Sequence, residues 1–119
     1  MTVSVIMITY DHEQFIEEAV VNVLNQQTDF DFELIIANDC STDQTDAVIK
    51  KIIATHPAAN KIRYLLQKTN QGANRNFVSA FNLSSAKYIA MCEGDDYWTD
   101  AYKLQKQVDF LENNSKYAG

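Results

Sequence analysis

Glycine and proline are scarce in this chain, with 3 Gly and 1 Pro in 119 residues. Many nucleotide-binding α/β proteins hold phosphate in a glycine-rich turn whose backbone N–H groups close around it, and so few glycines leave no such nest. Neither GxGxxG nor GxxxxGK(S/T) occurs, which removes the NAD or FAD turn and the P-loop. Cys40 and Cys92 show no CxxC or Cys/His spacing, so a zinc site and a disulfide framework are not expected and each reads as a reduced, buried small residue. A Ser-centred nucleophile elbow is also missing, and covalent catalysis is not expected. Basic residues are the minority, 10 Lys+Arg against 16 Asp+Glu for a net charge of -6, the opposite of a nucleic-acid groove. No apolar run approaches the roughly 20 residues of a membrane span. Met1-Thr2-Val3 passes directly into a strand without a basic leader region, so the expectation is no signal peptide and a cytoplasmic site.

What is present is a single domain's worth of alternating strand and helix. Val3 to Thr9 is short, β-branched and almost continuously apolar, the pattern of a strand buried on both faces of a parallel sheet. Asp11 followed by Gln14 reads as a capping box, after which Phe15, Ile16, Ala19, Val20, Val23 and Leu24 recur at helical spacing. The second unit repeats the plan, with Phe32 to Ala37 as strand, Ser41 and Gln44 as a second capping box, and Val48, Ile49, Ile52 and Ile53 as the buried stripe of a helix closed by His56-Pro57. A third strand covers Lys61 to Leu66, and a third helix from near Ala73 is expected to bury Phe77, Ala80 and Phe81. The fourth strand covers Lys87 to Cys92, and a last helix from about Asp100 carries Leu104, Val108 and Leu111.

Parallel strands joined by single helices require right-handed crossovers, which predicts a doubly wound α/β sheet in the order 3-2-1-4. Ligands in such sheets bind at the carboxyl ends of the strands beside the switch point, here between strands one and four. The polar residues gather at those ends: Thr9-Tyr10-Asp11, Asn38-Asp39-Cys40-Ser41, Gln67-Lys68-Thr69-Asn70 and Glu93-Gly94-Asp95-Asp96. Adjacent carboxylates on a short loop after a strand suit a divalent cation and the phosphates it carries, and an acidic protein that binds an anionic nucleotide needs a cation between them. The competing reading is a solvated acidic turn that starts the next helix. Each candidate has such an alternative: Asp39 as the end of its strand, Tyr10 as packing, Arg75 as a surface ion-pair partner, and Asn70-Gln71-Gly72 as a turn. Tyr97 and Trp98 read as packing residues, and His12 and His56 as solvent-facing.

Four segments taken together carry a resemblance: SVIMITYDHEQFIEEAVVNVLNQ, FELIIANDCSTDQT, NQGANRNF and YIAMCEGDDYW, in that order and at those intervals. They resemble the amino-terminal half of family-two nucleotide-sugar glycosyltransferases of the GT-A fold, a Rossmann-like, mostly parallel sheet. The resemblance implies that Thr9, Tyr10 and Asp39 line a nucleoside pocket, usually for uridine, and that Arg75 meets base or phosphate. The family's DxD-type motif falls on Glu93-Gly94-Asp95-Asp96. Glu93 departs from the usual Asp, leaving Asp95 near ribose and metal and Asp96 on the metal, with Mg²⁺ or Mn²⁺ as the ion. It also implies an inverting transfer from a nucleoside diphosphate sugar to an unidentified acceptor hydroxyl on a glycan, lipid carrier or protein, in cell-envelope polysaccharide assembly, at the inner membrane face in a longer protein. The family's catalytic base would lie beyond Gly119, so the expectation is a truncated donor-binding half that binds without turnover and self-associates through sheet surface left uncovered. A noncatalytic nucleotide-binding or interaction module, and a sugar nucleotidyltransferase lacking its glycine-rich basic loop, remain the alternatives at this level.

Overall fold

The computed structural model describes residues 1–95, 98 and 100–113. It contains β1 (Val3–Thr9), α1 (Ile16–Leu24), β2 (Phe32–Asn38), α2 (Thr45–Thr55), a short 3-10 turn at Ala59–Lys61, β3 (Ile62–Leu66), α3 (Ala73–Phe81), β4 (Tyr88–Glu93) and α4 (Lys103–Asn113). The strands form one sheet in the order β3-β2-β1-β4, every pairing parallel, as the strand and helix alternation predicts. Thr9 lies opposite Asn38, Asn38 opposite Leu66, and Ile8 opposite Glu93, so the four carboxyl ends finish almost level.

Alternation along the strands sends side chains to two faces. Val3, Val5 and Met7 with Phe32, Leu34 and Ile36 meet the apolar stripes of α1 (Ile16, Val20, Val23), α2 (Ile49, Ile52) and α4 (Leu104, Val108) in the larger core. Ile6, Ile35 and Ala37 face the other way, against Ala80 of α3. That second face carries one helix, so it closes less completely. Phe81, expected in the core, is 48% exposed, and its ring stands 6.0 Å from that of half-buried Phe77. The position one turn before Ala80 is filled by Asn76, whose Nδ2 donates to the Ala37 carbonyl (2.8 Å) while its Oδ1 accepts from Gln67 Nε2 (3.1 Å). A small residue and an amide hydrogen-bonded at both its nitrogen and its oxygen let α3 sit close on the sheet; Phe77 packs half-buried against this second core and Phe81 falls to the flank.

Neither expected capping box forms. Helices α1 and α2 have no side-chain cap hydrogen bond, because the polar groups of the preceding loops bond across to one another. Beneath them runs a chain of bonds through buried Asn38. Its Nδ2 donates to Tyr64 Oη (3.0 Å), Tyr64 Oη donates to Asp46 Oδ1 (2.6 Å), and its Oδ1 accepts from Ser41 N (3.1 Å) and Ser41 Oγ (2.6 Å). Burial, then the neighbouring Asp46, pushes the Tyr64 phenol up, while the Tyr64 hydrogen bond, aided by Lys50, holds Asp46 below the ordinary carboxyl value of 3.8.

A depressed carboxyl contributes stability that is present above its unfolded value and fades as pH falls through the folded one. Replacing Tyr64 by Phe removes Asp46's main partner and leaves Asn38 Nδ2 unpaired, which should cost about 1–3 kcal/mol near neutral pH. The cost should shrink below about pH 4 as Asp46 protonates in both proteins. Urea unfolding midpoints measured from neutral pH downward check this; an equal difference at every pH would assign the whole effect to packing.

Candidate functional site

The levelled strand ends open into a cleft of about 410 Å³ lined by Ile8, Thr9, Tyr10, His12, Asp39, Asn70, Gly72, Ala73, Asn76 and Glu93. It lies at the carboxyl ends of β1, β2 and β4, where the switch-point rule puts it. Its walls are loops; those after β1 and β3 are fixed by side-chain acceptors and that after β4 by a backbone carbonyl.

The loop after β1 is held by the loop after β2. Asp11 turns the chain with φ +53°, a conformation that Asp and Asn tolerate better than most side chains. Its carboxylate accepts from Thr42 N (2.7 Å) and Thr42 Oγ1 (2.9 Å), and its own N–H donates to Ser41 Oγ (3.0 Å). The next N–H groups continue the pattern, His12 N to Thr45 Oγ1 (3.0 Å) and Glu13 N to Asp43 Oδ2 (3.1 Å). Burial raises the Asp43 carboxyl, but hydrogen bonds from Thr45 and Glu13 more than offset this and leave it below its ordinary value.

Asp39 is 4% exposed and anchors the loop after β3. Its Oδ1 accepts from Gln71 N (2.6 Å) and its Oδ2 from Gly72 N (2.9 Å). Gly72, with φ +85°, occupies a backbone conformation open to glycine and begins α3. Each carboxylate oxygen carries a second lone pair, so Asp39 can hold this loop and still accept from a ligand in the cleft it lines.

On the β4 side Gly94 N donates to the Ile8 carbonyl (2.9 Å), drawing the acidic loop against the end of β1. There is no room for a side chain at this glycine: a Cβ would lie 2.3 Å from Thr9 Oγ1 and 2.7 Å from His12 Nδ1. Close approach of two strand ends is what the glycine serves here.

The structure brings Thr9, Tyr10 and Asp39 together in the cleft wall, with Thr9 buried and Tyr10 42% exposed. Asp95 stands outside that lining, its side chain 46% exposed and its Oδ2 3.9 Å from His12 Nε2. Arg75 is on the exposed side of α3, in a separate depression with Gln71, Asn74, Val78 and Ser79. Asp96 lies outside the described residues. Two side chains that sequence reasoning set aside line the cleft. Glu93 ends β4 in its wall, and His12, expected to face solvent, is 23% exposed with Nδ1 2.9 Å from Thr9 Oγ1. The signal for His12 was its position three residues after Thr9, where a turn folds it back onto the strand end.

The sequence model of glycosyl transferase family 2 matches residues 4–119. An uncharacterized protein of Mycobacterium tuberculosis is 41% identical over 111 residues, which make up 93% of this chain and 32% of that protein. Residues 1–349 of S. aureus TarS, solved in complex with UDP, give a TM-score of 0.82 at 26% identity, covering 97% of this chain and 33% of that one. The mannosyltransferase PcManGT of Pyrobaculum calidifontis, solved with GDP-Man and Mn²⁺, gives 0.83 over 92% of this chain and 32% of its own; at 23% identity that likeness is one of fold. The chain thus spans about a third of the length of the first curated relatives it matches. Its parallel sheet in the order 3-2-1-4 is that of the GT-A glycosyltransferases. With the family's sequence pattern running through all of the chain but its first three residues, the chain belongs to glycosyl transferase family 2.

Proposed function

We propose that these residues form the donor-binding part of a glycosyltransferase, and that the cleft takes the nucleoside diphosphate of a sugar donor, with uridine as the nucleoside. The carrying observation is the convergence of Thr9, Tyr10 and Asp39 in one cleft at the sheet's switch point. The UDP held by TarS, at 26% identity, supports the choice of base. In this reading Asp39 accepts from a base N–H and Tyr10 lies against the ring, while Arg75 would have to leave its separate depression on α3 to meet base or phosphate.

Among the described residues that line the cleft there is neither Lys nor Arg, while Glu93 lines it and Asp95 stands near it beside His12. A diphosphate brought to these carboxylates is repelled unless a cation stands between. Among the described residues no three His, Cys, Asp or Glu side chains gather as a preformed metal cage. Mg²⁺ and Mn²⁺ suit such a site, since hard ions of this kind take one or two carboxylates and fill their coordination with substrate phosphates. Asp95, with Asp96, would hold the ion, and when bound it neutralises the charge that gathers on the departing diphosphate. The protein groups orient the donor and keep the base in register.

Calorimetric titration with UDP should give detectable binding with Mn²⁺ or Mg²⁺ and much weaker binding with chelator. Asp95→Ala should shrink that difference. Asp39→Ala should weaken UDP by roughly 1 to 3 kcal/mol and ADP little, the range for a lost charge-assisted hydrogen bond. Equal affinity with and without metal would overturn the metal assignment. Equal losses for UDP and ADP would reduce Asp39 to the support of its loop.

We further propose that these 119 residues self-associate. At one sheet edge Met91 of β4 is 59% exposed and Phe110 of α4 61% exposed, on either side of an apolar groove. Among the described residues no strand pairs with the outer side of β4. An unpaired edge beside apolar surface invites a second strand. Light scattering over a concentration series should show mass rising with concentration; a constant monomer mass would remove the proposal.

A further inference from the structure

His12 is tied more firmly than a rim residue needs to be. Its N–H donates to Thr45 Oγ1 (3.0 Å), and its carbonyl accepts from Phe15 N (2.9 Å) and Ile16 N (2.8 Å), so the backbone is fixed from both sides. The imidazole spans two parts of the site. Nδ1 lies 2.9 Å from Thr9 Oγ1 in the cleft wall, and Nε2 lies 3.9 Å from Asp95 Oδ2 on the acidic loop. The missing side chain of Gly94 makes room for the Thr9 and His12 side chains on this side, where a Cβ would lie 2.3 Å from Thr9 Oγ1 and 2.7 Å from His12 Nδ1.

A carboxylate only accepts and a hydroxyl can donate, so the tautomer that suits both neighbours carries the proton on Nε2, toward Asp95, and accepts from the Thr9 hydroxyl at Nδ1. At 3.9 Å the Nε2–H and the carboxylate are beyond direct hydrogen-bonding distance, a separation at which a dipole orients a charge or one water bridges the two.

We propose that His12 is a positioning residue that couples the nucleoside pocket to the acidic loop, holding Thr9 through Nδ1 and orienting the Asp95 carboxylate through Nε2–H. Donor affinity then depends on His12 through the diphosphate end of the ligand. The inference rests on the donor-site reading for its ligand test and on the ligand-free geometry for its second test.

Two variants separate the nitrogens. In His12→Asn the amide reaches the Nδ1 position and falls short of Asp95, whereas in His12→Gln it reaches the Nε2 position. With Mn²⁺ present, the quantity to measure is the affinity gained in passing from uridine to UDP. His12→Asn should keep the affinity for uridine and cut that gain roughly fivefold or more, the scale of a coupling between sites. His12→Gln should restore most of the gain. An unchanged gain in His12→Asn, or equal losses of uridine and UDP in both variants, overturns the proposal. The ligand-free test is the ¹⁵N spectrum of the His12 imidazole, in which the proton should sit on Nε2 and Asp95→Asn should move that resonance. An imidazole indifferent to Asp95 overturns the coupling whatever binds. Should the wild-type protein bind neither uridine nor UDP while the resonance responds, the donor-site reading fails and the coupling stands.

Discussion

The hydrogen-bonded clasp between the loops that follow β1 and β2 is the constraint on which the site depends. A cleft at a sheet's switch point needs its first loop to leave the central strand, turn sharply and return as a helix without filling the space above the strand end. Glycine would allow that turn but leave it loose. Here the turn is made by Asp11 at φ +53°, and the strain is offset by a carboxylate that accepts both the N–H and the hydroxyl of Thr42. Ser41, Thr45 and Asp43 accept the N–H groups of Asp11, His12 and Glu13 in succession. Ser41 in turn rests on Asn38, and Asn38 on Tyr64 and Asp46, so the position of Tyr10 and His12 is referred back to β2, β3 and α2.

The same device recurs at each wall. Asp39 fixes the loop after β3 by accepting two successive backbone N–H groups, and Gly94 fixes the loop after β4 by the absence of a side chain. Carboxylates that would each be costly to bury alone are thus tied into donors, and the cleft is preorganised by bonds that do not need the ligand. Groups used in this way are less free to act directly. That tension is sharpest at Asp39, which serves the loop with both oxygens while lining the space proposed for a base.

The architecture was legible in the sequence because β1 and β2 are buried on both faces, which forces runs such as Val3-Ser4-Val5-Ile6-Met7 and Phe32-Glu33-Leu34-Ile35-Ile36, and because strand and helix periods alternate cleanly. The strand order followed from handedness, and the end that carries the site followed from where polar residues gather. Local rules misled where tertiary bonds outcompeted them. Asp11 and Ser41 have the sequence signature of helix caps, yet both are used across the loop pair. Phe77 and Phe81 fit a core stripe, yet Asn76 takes the sheet-facing position because the Ala37 carbonyl and the Gln67 amide satisfy its side chain. Arg75 could be placed on α3 from spacing, but the face it points from depends on the rotation of that helix, which Asn76 and Ala80 set. His12 was passed over because no ligand spacing singles out a histidine whose partners are a hydroxyl on one side and a carboxylate of a distant loop on the other.

Charge gives these parts their chemical sense. A chain with net charge -6 whose described cleft residues include carboxylates and no Lys or Arg repels a diphosphate as it stands. In the proposed reading the missing charge arrives with the ligand, so that donor and cation bind together or weakly. Such a site still has to keep its own carboxylates apart and aimed while no ion is present. In the proposed arrangement the imidazole beside Asp95, braced by the Thr9 hydroxyl and by backbone bonds on either side, supplies a donor that orients the acid. A lysine or arginine at that position would pair with Asp95 permanently and compete with the ion. In the proposed coupling a histidine orients the carboxylate and leaves its charge for a cation, so the residue type at position 12, and not only its location, enters the proposal.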